Sequence, residues 1–170
     1  AISIANVSDK ENPMALSTVS YPDYAYVHQG WLTEDQRYFI QNDELDELTG
    51  NVDRTRTLIW DVSDLDDPQF VDDYLFDNAS SDHNLYIKGN MMYQSNYQSG
   101  LQVLDVSDPE NPEKIGFFDT EPFGEDEPGF AGTWSNYPYF DSDIIIMTSS
   151  TEGLFILENA EEPVTPTSAE

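Results

Sequence analysis

The sequence predicts an all-β protein, a partial β-propeller of about three to four blades, each of four antiparallel strands. Three observations predict it. One phrase recurs, at residues 2–13 (ISIANVSDKENP), 57–68 (TLIWDVSDLDDP) and 101–112 (LQVLDVSDPENP), with a worn copy at 154–163 (LFILENAEEP). The copies stand ~44–55 residues apart, which is the length of a four-stranded unit. No stretch of useful length carries a helical period, whereas short apolar or alternating runs end repeatedly in Asp, Asn, Ser, Gly and Pro.

Each run is justified locally. Residues 2–7 and 13–20 flank the polar turn SDKEN. Residues 24–32 (YAYVHQGWL) are rich in aromatic and branched side chains suited to a pleated surface, and 37–42 (RYFIQN) follow across TEDQ. An acidic loop over 42–55, turned at Gly50 and Asn51, leads to strands at 57–62 and 69–76. The next unit is tighter, with strands at 83–88, 91–96, 101–106 and 113–119, and Gly89-Asn90 makes a two-residue hairpin between the first two. After an irregular stretch, EPFGEDEPG, three more strands are expected at 133–140, 143–148 and 153–158. The organisation read from this is a propeller segment over 1–158, with blade parts 1–20, 21–77, 78–120 and 121–158. A Pro-, Thr- and Glu-rich linker at 159–170 would lead to a C-terminal anchor.

With 34 acidic against 6 basic residues, the formal charge of −28 repels nucleic acid and anionic membrane surfaces. Cations, basic partners and salty surroundings suit it. The chain has no cysteine, so neither a disulfide framework nor a thiol site exists. No apolar run approaches the length of a membrane span, which excludes membrane insertion through a helix of this segment.

The runs HQGWLTEDQRYFIQNDELDE with TLIWDVSD, SDHNLYIKGNMMYQSNYQSGLQVLDVSDPENPEKIGFFDT, and GTWSNYPYFDSDIIIMTSSTEGLFILE together resemble the C-terminal half of the LVIVD-repeat proteins called the choice-of-anchor B family. The resemblance implies a secreted or cell-surface bacterial or archaeal β-propeller with a variable anchor. Its neighbours would be the remaining blades of a longer chain. Trp60-Asp61 has the place of the WD40 dipeptide, but the sister copies carry Leu104-Asp105 and Ala5-Asn6, and no Gly-His pair opens the repeats.

Aligning the repeats superposes His28-Gln-Gly-Trp31, His83-Asn-Leu-Tyr86 and Trp134-Ser-Asn-Tyr137. His28, His83 and Trp134 are therefore expected at equivalent first-strand positions facing one channel. Two readings follow. In one, the histidines are repeat residues hydrogen-bonded to a neighbouring blade, in a module with a binding or structural role toward a protein or carbohydrate. In the other, they are transition-metal ligands or acid-base groups of a metal-dependent propeller enzyme. Asp43, Glu44, Asp46 and Glu47 could supply oxygen ligands for calcium, but the expected state of this charge run is a solvated loop. The repeated Asp61-Val-Ser63-Asp64 and Asp105-Val-Ser107-Asp108 are read as turn caps. No nucleophile elbow, phosphate loop or HExxH pair is present.

Overall fold

The computed structural model describes residues 1–158, so the expected linker at 159–170 lies outside the described residues. Strands and turns make up the described residues, in four antiparallel sheets that follow one another along the chain. The first sheet pairs β1 (Ile2–Asn6) with β2 (Met14–Val19). The second contains β3 (Val27–Leu32), β4 (Tyr38–Asp43), β5 (Arg56–Asp61) and β6 (Gln69–Leu75). β7 (Leu85–Lys88), β8 (Met91–Ser95), β9 (Leu101–Asp105) and β10 (Glu113–Phe118) form the third, and β11 (Thr133–Tyr137), β12 (Ile144–Ser149) and β13 (Gly153–Glu158) the fourth. Within each sheet, sequence neighbours are spatial neighbours. Among the described residues no helix is long and apolar enough to cross a membrane.

Two ends are trimmed for visible reasons. β3 starts at Val27 because the N–H groups of Ala25 and Tyr26 donate to the Asp43 carboxylate instead of to a strand. β11 stops at Tyr137 because Pro138 has no N–H to donate. The repeated turns use the expected caps: Asp61 Oδ1 accepts from Ser63 N, Asp105 Oδ1 from Ser107 N, and Asp108 Oδ1 from Glu110 N. Gly89, at φ 60°, makes the tight turn between β7 and β8.

The sheets stack through apolar clusters placed between consecutive members. Ile2 and Tyr21 pack with Leu58, Trp60 and Val62. Ile40 and Phe76 pack with Leu85, Ile87, Met92 and Leu104. Tyr93 and Leu101 pack with Ile145 and Met147. Burial of each such side chain contributes about 1.5–3 kcal/mol. Polar side chains reinforce the stacking. The Gln29 amide donates to the Leu85 carbonyl at 2.9 Å and accepts from the Leu85 N–H at 2.8 Å, so a side chain acts as a short strand between the second and third sheets.

At the end of the stack, β13 leaves Leu154 and Ile156 64% and 66% exposed. Such a face is expected to associate. Sedimentation of this chain should show concentration-dependent self-association that Ile156→Lys reduces, and an unchanged monomer at all concentrations would contradict it.

Candidate metal centre where three sheets converge

Corresponding β-bulges place the first site residues. The β3–β4 register passes from Val27 to Gln29 and the β11–β12 register from Thr133 to Ser135, so His28 and Trp134 are each the extra residue. A bulge re-aims the side chain it carries. His83 lies just before β7, with its N–H on the Ser95 carbonyl. Its own carbonyl accepts from the Asn42 side-chain amide.

The three expected residues lie together. The His28 and His83 rings stack with centroids 4.1 Å apart, and the His83 and Trp134 rings are 4.5 Å apart. A carboxylate bridges the edges of the two histidines: Glu44 Oε2 is 3.5 Å from His28 Nδ1, and Glu44 Oε1 is 3.7 Å from His83 Nε2. One ligand atom from each of His28, Glu44 and His83 lies within 4.8 Å of the others. The Tyr97 hydroxyl, in a fully buried side chain, donates to Glu44 Oε1 at 2.5 Å. Gly132, at φ 96°, lets the chain pass so close to Tyr97 that an added Cβ would stand 2.4 Å from its carbonyl oxygen. That carbonyl accepts from Thr133 N at 2.8 Å, which ties the fourth sheet to the tyrosine.

The proton positions follow from the outer partners. His83 Nδ1 is 2.5 Å from the Trp134 carbonyl oxygen, which can only accept, so Nδ1 carries the hydrogen. Burial holds the His83 imidazole below its ordinary pKa, outweighing the Trp134 carbonyl and Glu44, and the neighbouring His28 acts in the same direction as burial. Neutral His83 therefore points a lone pair from Nε2 at Glu44. The Asn84 amide nitrogen donates to Ser135 Oγ at 3.2 Å, which leaves its oxygen 3.2 Å from His28 Nε2. His28 then donates through Nε2, and its Nδ1 faces Glu44.

The acidic run that opens the loop is not solvated, contrary to expectation, while the turn at 48–51 is exposed. Asp43, Glu44, Asp46 and Glu47 are all buried. Buried partners replace water for two of them. Asp43 accepts from the Tyr21 hydroxyl and from the Ala25 and Tyr26 N–H groups. Asp46 Oδ2 accepts from Arg56 Nε at 2.9 Å, in an ion pair whose side chains are 0% and 4% exposed. The expected oxygen-ligand set is thereby divided: Glu44 joins the histidines, Asp43 and Asp46 have protein partners, and Glu47 retains one unpartnered oxygen, Oε2. Desolvation pushes Glu47 up to about 11, with the charges of Asp82 and Asp46 adding to it. Asp46 is pushed up to about 6, again chiefly by burial.

Among the aromatic residues, Tyr93 and Tyr97 are buried, whereas Tyr24, Tyr26, Trp31, Trp134 and Tyr137 are exposed. Asp82 and Arg56 were not signalled by the sequence as site residues. A charged residue next to an aligned histidine, and an arginine opening an apolar central strand, are the two signals that mark them.

No protein-family model matches the chain, and no curated protein matches it. The fold is similar to the crystal structure of a protein from Lactobacillus plantarum, with a TM-score of 0.66 at 12% identity over 92% of this chain. The chain spans 50% of that protein's length. At this identity the likeness concerns the fold.

Proposed function

We propose that the chain is a β-propeller repeat segment, of the LVIVD-repeat kind its sequence resembles, that binds a divalent transition-metal ion of the zinc class through His28, Glu44 and His83. One observation carries the metal reading: a ring nitrogen of each histidine faces the Glu44 carboxylate, and one ligand atom from each of the three residues lies within 4.8 Å of the others. Acceptors facing one another repel, and a cation reverses the sign of that interaction. Zinc–nitrogen bonds of about 2.0–2.1 Å put tetrahedral ligand atoms roughly 3.4 Å apart; Glu44 stands 3.5 and 3.7 Å from the two imidazoles, and the set of three closes from within 4.8 Å on binding. The rings stack 25° from parallel, so binding requires the partly exposed His28 ring to turn until its lone pair meets that of His83 at one ion.

The outer partners suit this role. His83 donating to a backbone carbonyl and Glu44 accepting from Tyr97 are the kind of contacts that orient metal ligands. Three protein ligands leave a further position for water or a bound group, and His28 is the side through which solvent reaches it.

What supports the propeller arrangement is the repetition of sequence-ordered antiparallel sheets, their face-to-face stacking, and the meeting of their first strands at one site. Secretion or cell-surface display belongs to the same proposal and rests on the sequence resemblance. So do further blades of a longer chain, which would cover the apolar face of β13.

Calorimetric titration of metal-stripped protein with zinc tests the reading. One ion per chain is expected, with binding lost in His83→Ala and in Glu44→Gln. Tyr97→Phe should weaken it by about 10–100-fold, as loss of an orienting partner does. Absence of zinc binding, or unchanged binding in His83→Ala, would overturn it.

A further inference from the structure

A second group of unpartnered oxygens lies on the face between the second and third sheets. Asp82 is fully buried, and among the described residues its one side-chain hydrogen bond comes from Gln94 Nε2 to Oδ2 at 3.4 Å. Its Oδ1 has no partner. Glu47 is 5% exposed, and its Oε1 accepts from Arg56 N at 3.1 Å while Oε2 has no partner. A short chain of contacts joins the two carboxylates: Gln94 donates to Asp82 and accepts from Thr57, and Arg56, the residue before Thr57, gives its N–H to Glu47.

Amide oxygens share this face. Gln94 reaches across to the second sheet, where its Oε1 accepts from Thr57 Oγ1 at 2.8 Å. Gln102 stands directly opposite Gln94 in the β8–β9 ladder, so their side chains share one face. Gln102 gives its amide N–H to the Ser99 carbonyl, and its Oε1 is buried without a partner. Asn96, two residues after Gln94, has its whole side-chain amide buried without a partner, so its oxygen is free to turn toward a ligand. The orphans on both carboxylates and on Gln102 are oxygen acceptors. Arg56 is the cation of this region, and its Nε is already committed to Asp46.

We propose that Glu47 and Asp82 hold a hard divalent cation of the calcium class between the second and third sheets, with the Gln102 and Asn96 side-chain oxygens available to complete an all-oxygen shell. Oxygen donors without nitrogen select calcium over the transition metals that suit the histidine site, so one chain carries two centres of different chemistry. The ion cross-links a loop of the second sheet to the segment that leads into β7. Because neither carboxylate approaches the other in an unfolded chain, binding is coupled to folding and stabilises the stacked sheets.

The test uses the chain with zinc saturating the histidine site throughout, so that failure at one centre is read separately from failure at the other. Calorimetry with calcium should show one further ion per chain. At about a hundredfold excess over Kd, calcium should raise the melting midpoint by about 5–10 °C beyond sodium chloride of matched ionic strength. Glu47→Gln and Asp82→Asn keep side-chain size while removing a ligand charge, and each should abolish the calcium-specific rise. No rise over matched sodium chloride in the wild-type chain would overturn the proposal, whatever the variants do. Retention of the full rise in both variants would overturn it equally.

Discussion

Arg56→Met is expected to destabilise the protein by about 3–5 kcal/mol and to lower its melting midpoint by roughly 10 °C. The guanidinium is buried, with Nε on Asp46 Oδ2 at 2.9 Å, and the two terminal nitrogens donate to the carbonyls of Pro22 and Asp23. Its planar face lies 5.4 Å from the Tyr21 ring. Removing it takes a donor from the Pro22 and Asp23 carbonyls, the second of which keeps the Asn51 amide, and leaves the Asp46 carboxylate buried without a counter-charge beside Glu47. Desolvation makes an unpaired buried charge far more costly than the pair. The double variant Arg56→Met, Asp46→Asn removes both charges and should recover a substantial part of the loss. Thermal or denaturant unfolding of the wild type and both variants measures the coupling. A loss below about 1 kcal/mol for the single variant would show that the pair is solvated.

Stability should also rise, in protein stripped of divalent cations, as pH is lowered from about 9 toward about 5. The sign follows from burial. Asp46 is pushed up to about 6 and Glu47 to about 11, each chiefly by desolvation, and Asp82 is raised for the same reason. A carboxyl whose folded pKa exceeds its unfolded value stabilises fully below the unfolded value, and that contribution is lost as pH rises through the folded one. For Asp46 the loss falls between the ordinary value of 3.8 and about 6, and for Glu47 it continues from 4.5 toward about 11. His83 acts oppositely, since its lowered pKa removes stability as pH falls below 6.5. One histidine stands against three carboxyls, so the carboxyls set the sign. Melting midpoints measured against pH in molar salt, which screens the general repulsion of the −28 charge, isolate the buried groups. Glu47→Gln should flatten the alkaline limb. A midpoint that climbs from about pH 5 to about pH 9 would refute the buried trio.

The strands were legible because each obeys a local rule. A continuous run such as LIW in β5 is apolar because both of its faces are covered, and the Asp61 that follows it caps the turn. The alignment of His28, His83 and Trp134 was legible for a related reason: a repeat places equal offsets at equal positions, and stacking brings those positions side by side. What a repeat does not encode is the carboxylate between them. Glu44 sits in a run of acids that reads identically whether it meets water or a core.

Only the tertiary structure decided which acids were buried and what each one faced. Asp43 draws its donors from Tyr21, Ala25 and Tyr26, and Asp46 draws its cation from the start of β5. Glu47 follows β4 and Asp82 precedes β7, and contacts through Gln94, Thr57 and Arg56 join them only when those sheets stack. The sequence by itself determined the strands, their turns and the register of the repeated histidines, because these depend on neighbours along the chain or on copies of it. Charge burial, proton placement and the meeting of His28, Glu44 and His83 depend on distances between residues tens of positions apart, which exist only after the sheets have packed.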